Sequence, residues 1–130
     1  MLTRDDILKA SDIKIEKVEI PEWGGFVYVK SMTSAERDDF EADIVELKRN
    51  GETSVNMRNV RAKLACKTLC DKDGNRLFED SELHLLAGKS ASALQKIFTV
   101  AQRLSKITEN DIDELLKNSE GDQAGGSASG

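Results

Sequence analysis

Val18-Glu19-Ile20-Pro21-Glu22-Trp23-Gly24-Gly25-Phe26-Val27-Tyr28-Val29 is the stretch that decides the fold class. Two runs of β-branched and aromatic residues flank a break built from proline and paired glycine, the pattern of a β-hairpin. Pro21 has no amide hydrogen for a ladder, so it belongs to the loop. Upstream, Ile13, Ile15, Val18 and Ile20 alternate with Lys14, Glu16, Lys17 and Glu19. The alternation slips by one residue at Glu16-Lys17, which predicts a bulge in a strand over 13–20. The hairpin thus occupies residues 13–30. Ahead of it, residues 3–10 read as a short helix, capped by Thr3 and with Asp5 and Asp6 in the first turn.

Downstream the period changes to that of helices. Thr33-Ser34-Ala35-Glu36 forms a capping box. Phe40, Ile44 and Leu47 then make a helical stripe, closed by Asn50-Gly51. Ser54 starts a second helix, whose Met57, Val60 and Leu64 keep the period to Cys70. Asp71-Lys72-Asp73-Gly74-Asn75 is a turn by composition, and Leu77-Phe78 a very short extended piece. Asp80 or Ser81 caps a short helix that Gly88 stops. Ser90 or Ser92 opens the strongest stripe: Leu94, Ile97, Phe98, Ala101 and Leu104. Thr108 caps a last helix with Ile112, Leu115 and Leu116 on its face. From Ser119 the composition turns to Gly, Ser, Ala and acids, which cannot bury a core.

The expected fold is α+β and helix-dominant: an N-terminal β-hairpin packed on a small bundle of four to five helices. Residues 1–118 form a single domain and 119–130 a disordered tail. At 130 residues the chain has room for one core. With four Phe, one Trp and one Tyr, that core must come mainly from Leu, Ile, Val and Ala.

The net charge of −5 argues against non-specific binding to nucleic acid, which relies on a basic surface. It argues equally against an anionic membrane surface. No run approaches the roughly 18 apolar residues of a membrane span. The opening Met1-Leu2-Thr3-Arg4-Asp5-Asp6 has no basic region followed by an apolar run, as a secretory signal would. A cytoplasmic location is the expectation. Cys66 and Cys70, four apart on one helical pattern, read as small buried hydrophobes.

Residue patterns with chemical potential are few. Asp71-x-Asp73-x-Asn75 opens like a calcium loop, with Glu82 at its twelfth position. Its sixth position, however, is Arg76 where such loops need glycine. A polar turn explains the same residues, and a calcium-responsive sensor remains the weaker alternative. His84, the single imidazole, lies in an apolar helical segment and has no nucleophile motif beside it. Asp38, Asp39, Glu41 and Asp43 read as a solvated face. Gly88-Lys89-Ser90 ends like a phosphate loop but follows an apolar helical segment. The expectation is therefore a protein that is not an enzyme, with no cofactor and no metal.

Binding is another matter. Trp23, between Glu22 and two glycines, is either a binding anchor or a lid over the core. Phe98 reads as core by periodicity, yet lies on a large apolar stripe. Ile112, Leu115 and Leu116 suit docking in the chain's own core or in a partner's groove. Trp23, Phe98, Ile112, Leu115 and Leu116 are the candidate partner-binding residues, and a generic protein-binding regulatory module is one reading of them.

The order of elements resembles a known family. It comprises Leu2-Thr3-Arg4-Asp5-Asp6-Ile7-Leu8, the hairpin through Val29, Ser34-Ala35-Glu36-Arg37-Asp38, Leu69 through Phe78, Ser92-Ala93-Leu94 through Phe98, and Ala101-Gln102-Arg103-Leu104. Across most of residues 1–118 the chain resembles the tail assembly chaperones of long-tailed phages and prophages. The resemblance implies a soluble escort of the tape-measure protein in the host cytoplasm, left out of the finished virion. It implies, for many relatives, a frameshifted longer product that recruits tail tube subunits. It supplies no motif for binding residues, and it leaves a homo-oligomer open.

Overall fold

The computed structural model describes residues 1–107. The last helix read from the sequence, with Ile112, Leu115 and Leu116, and the tail at 119–130 lie outside the described residues. What is described is α+β with helix predominant, as the sequence led us to expect.

Thr3 caps α1 (Arg4–Lys9) through a complete capping box with Asp6, but the helix buries no residue. Next come β1 (Ile15–Ile20) and β2 (Gly25–Lys30), joined by a 3-10 turn over Pro21–Trp23. Gly24, at φ 72°, closes that turn in the left-handed region where glycine meets no steric penalty. The two strands pair antiparallel in unbroken register from Ile15–Lys30 to Ile20–Gly25. The bulge expected at Glu16-Lys17 is absent. Val18 and Ile20 face the core, whereas Ile15 faces the other way, and its Cδ1 lies against Gly74 of a later turn. An apolar residue on each face mimicked a phase slip.

Thr33 and Glu36 form the expected capping box of α2 (Ser34–Ile44). The helix stops at Ile44, before Leu47 and well short of the Asn50-Gly51 end read from the sequence. Val45–Leu47 (β3) pairs antiparallel with Thr53–Val55 (β4), and Leu47 is exposed. Asn50-Gly51 is thus a hairpin signal rather than a helix stop. Gly51 has φ 85°, and the Asn50 side chain accepts the Glu52 N–H. Run together, Ile44, Val45, Thr53 and Val55 are β-branched, which favours strand. Ser54 accordingly caps nothing. The following helix, α3 (Val60–Thr68), begins after a left-handed Asn59, and Met57 is exposed. It also ends before the expected Cys70. Leu69–Cys70 forms β5, which pairs with Tyr28 and Val29 and widens the sheet to the order β1-β2-β5.

Beyond β5, Arg76 bridges back to Cys70. A 3-10 turn (Asp80–Glu82) then runs into α4 (Leu83–Ala87), and Ser90 caps α5 (Ala91–Ser105). Helix α3 is buried nearly all round, as a central helix must be. It packs against α2, α4 and α5, while α5 lies across β1 and β2. Ala93, Leu94, Ile97, Phe98 and Ala101 carry the α5 side of the core. No helix among the described residues is long and apolar enough to cross a membrane.

Candidate partner-binding surface

Strand alternation gives the sheet two unlike faces. Val27 and Val29 point to the core beside Val18 and Ile20. Phe26, Tyr28 and Lys30 alternate to the far side, opposite Glu19, Lys17 and Ile15 in register. At one end of this far face Lys30 is buried, while Ile15 is partly covered on one side. The Lys30 Nζ donates to Glu36 Oε1 at the start of α2, at 2.6 Å, and Ile15 touches the Gly74 turn.

The other end is open. Phe26 is 49% exposed. Its ring meets Tyr28 edge to face at 5.5 Å and 83°, and the Lys17 ammonium sits 4.1 Å from its centroid. Such contacts hold aromatic rings in place before any partner arrives.

The adjoining turn is equally fixed. Glu22 accepts from Lys96 Nζ at 2.6 Å and from Ser92 Oγ at 2.5 Å, both on α5. The Lys96 ammonium and Ser92 hydroxyl hold the Glu22 carboxyl down at about 2. Trp23 therefore stands on a clamped turn and is 37% exposed. Phe26, Tyr28 and Trp23 give a surface suited to laying down an apolar helix or strand.

Phe98 sits apart from that face, in the core cluster at 9% exposure. The Arg61 guanidinium lies 5.8 Å from its ring centroid. Phe26 and Tyr28 were absent from the sequence candidates. Strand alternation was a signal for them, since Val27 and Val29 on the core face send the aromatics to the opposite one.

The chemically reactive types are otherwise engaged. Cys66 and Cys70 are free and buried. Burial pushes both thiols up, away from the thiolate that chemistry needs. Asp71 Oδ1 accepts the N–H groups of Asp73 and Asn75, and Asn75 Nδ2 donates to its other oxygen. The Asn75 bonds hold that carboxyl below its ordinary range. Glu82 likewise accepts the Glu79 N–H. Both ends of the calcium-like stretch thus cap local backbone. No three of His, Cys, Asp and Glu gather as metal ligands among the described residues.

Comparison with known proteins decides the family. Residues 5–118 match the family model described as phage tail assembly chaperone. The chain belongs to the phage tail assembly chaperone family. A solved structure described as the bacteriophage HK97 tail assembly chaperone shares the fold, with a TM-score of 0.54 at 16% identity. The match covers 77% of this chaperone and 94% of that chain. No curated protein matches the sequence. For a chaperone, an open aromatic face on a rigid sheet is the most telling feature of the molecule, because its task is to engage other proteins of the tail.

Proposed function

We propose that this chaperone holds the tape-measure protein in solution before the tail tube forms, and does so through the open end of the sheet's far face. The exposed Phe26, set between Lys17 and Tyr28, carries the reading. A tape-measure protein offers long apolar helical stripes. A fixed aromatic pair with a flanking cation receives such a stripe and its acidic neighbours. Trp23 borders the face and extends it. The role is one of holding, with no catalytic step, and it is exercised in the host cytoplasm by a protein that leaves before the virion is complete. A frameshifted longer product would add the recruitment of tail tube subunits, and several copies, self-associated or not, would line one tape measure.

The test is co-expression with the tape-measure protein encoded by the same phage. Wild-type chaperone keeps that protein soluble and co-purifies with it. The variant F26D folds, because Phe26 is exposed at the open end of β2, and recovers at least about tenfold less tape-measure protein, as expected for loss of a central aromatic anchor. Equal recovery by the two proteins rejects the assigned face.

A further inference from the structure

The three-stranded sheet has two unlike edges. Beyond β5 the chain bonds back on itself: Cys70 bridges Arg76, and the Leu69 carbonyl accepts the Leu77 N–H at 3.1 Å. β1 forms the opposite edge. The Lys14 carbonyl accepts the Ser31 N–H at 2.8 Å. Strand alternation therefore turns the backbone groups of Glu16, Val18 and Ile20 to β2, and those of Ile15, Lys17 and Glu19 outward. Among the described residues no backbone group bonds to these outward N–H and C=O groups.

Edge strands are normally blunted by a bulge, an inward charge or a proline. β1 has none of these. It runs six residues in unbroken register, and Pro21 comes only after its end. Lys17 lies over the Phe26 ring. Such an edge is a template for another strand, and its charges choose which one. When two β1 strands pair antiparallel with Val18 opposite Val18, each Lys17 stands opposite the Glu19 of the other copy. Registers centred on Lys17 or on Glu19 set like charges opposite instead, which destabilises a pairing.

We propose that the chaperone forms a twofold dimer through this Val18-centred pairing of β1 with β1, joining two three-stranded sheets edge to edge. Lys17 and the second copy's Glu19 exchange backbone bonds, and the symmetry repeats the exchange. Within one copy Lys17 and Glu19 already meet at 3.7 Å, so the dimer makes a square of alternating charge. On the core side, Lys96 and Arg103 of α5 are each neutralised by Glu22 and Glu16 of their own chain. Across the far face the register sets a row of Phe26 and Glu19 from one copy, then Lys17 and Tyr28 from the other. The inference concerns the strand edge and stands whether or not the tape-measure protein uses the far face.

The test is sedimentation equilibrium of the full chain. The wild type is a dimer that dissociates on dilution. K17E and E19K each turn both cross-strand pairs repulsive and weaken association at least about tenfold. Mixed in equal amounts, the two variants dimerise as the wild type does, because each supplies the charge the other lacks. That rescue requires contact between copies and does not arise from a change within one fold. A wild type that stays monomeric up to about 1 mM overturns the proposal. So does a dimer indifferent to either reversal, or a mixture that associates no better than its components. Association that appears only with the tape-measure protein gives the edge to an extended segment of that partner, and also overturns the dimer.

Discussion

Replacing Glu36 with alanine should lower stability by about 3–5 kcal/mol, the cost of leaving a buried charge without its partner. The stranded charge is Lys30, a residue only 5% exposed. Its Nζ lies 2.6 Å from Glu36 Oε1, and the same oxygen accepts the Thr33 N–H at 2.9 Å. One side chain thus neutralises Lys30 and caps α2. Glu36→Gln keeps much of the cap but removes the charge, so it should fall between wild type and alanine. K30M/E36M removes both charges and should recover most of the loss, since an apolar pair can replace a buried ion pair at little cost. Denaturant midpoints with an unchanged slope would report these differences.

Acid should act on the same pair. Burial alone would raise the Glu36 carboxyl, but the Lys30 ammonium and the Thr33 N–H outweigh it and hold it below the ordinary 4.5. A carboxyl depressed in the folded state stabilises above its unfolded value. That contribution is present above about pH 4.5 and fades as pH falls toward the lower folded value. The E36A variant should therefore lose less stability between pH 5 and pH 3 than wild type.

The second large effect concerns Lys67, which is 2% exposed within the central helix. Its Nζ lies 3.1 Å from Asp80 Oδ2 and 3.6 Å from Asp43 Oδ2. Asp80 also takes Arg76 at 2.6 Å, while the Arg76 Nε donates to the Cys66 carbonyl at 3.0 Å. The Arg76 bond, with Lys67 adding to it, holds the Asp80 carboxyl below its ordinary range. This network ties the end of α2 to α3 and to the turn before α4. D43N/D80N should cost about 3 kcal/mol, toward the lower end for a buried ion left unpaired, because both acids are about half exposed to screening water. D80N alone should cost less, as Asp43 remains. K67M should lie near wild type. A K67M variant as unstable as D43N/D80N would mean that the lysine stem's packing, rather than its charge, matters here.

These two lysines show where sequence reading stops. A Lys in a strand or helix pattern is normally assigned to solvent, and neither Lys30 nor Lys67 has a local partner that betrays its burial. Glu36 was legible as a cap, yet its second role needs β2 beside α2. The first hairpin, the Thr3 cap of α1, the capping box of α2 and the α5 stripe were all legible, because local chemistry and tertiary packing agree there. The β3–β4 hairpin was not. Phe40, Ile44 and Leu47 happen to fit a helical period, and the strand preference of Val45, Thr53 and Val55 prevails only when paired. β5 was hidden for a similar reason, since Leu69 and Cys70 continue the apolar period of α3 and become strand by pairing with β2. Of the candidate site, Trp23 could be found from its loop. Phe26 and Tyr28 needed the sheet's two faces to be told apart, and that follows from which valines the helices cover.

The central claim is that the tape-measure protein docks on the open end of the far sheet face. Its most direct test is amide hydrogen exchange on the chaperone alone and in complex with the tape-measure protein. The account predicts that slowed exchange on binding is concentrated at residues 17–19 and 23–28, with α4 unchanged. Protection confined to α3 and α4, with 23–28 exchanging as in the free protein, would contradict it.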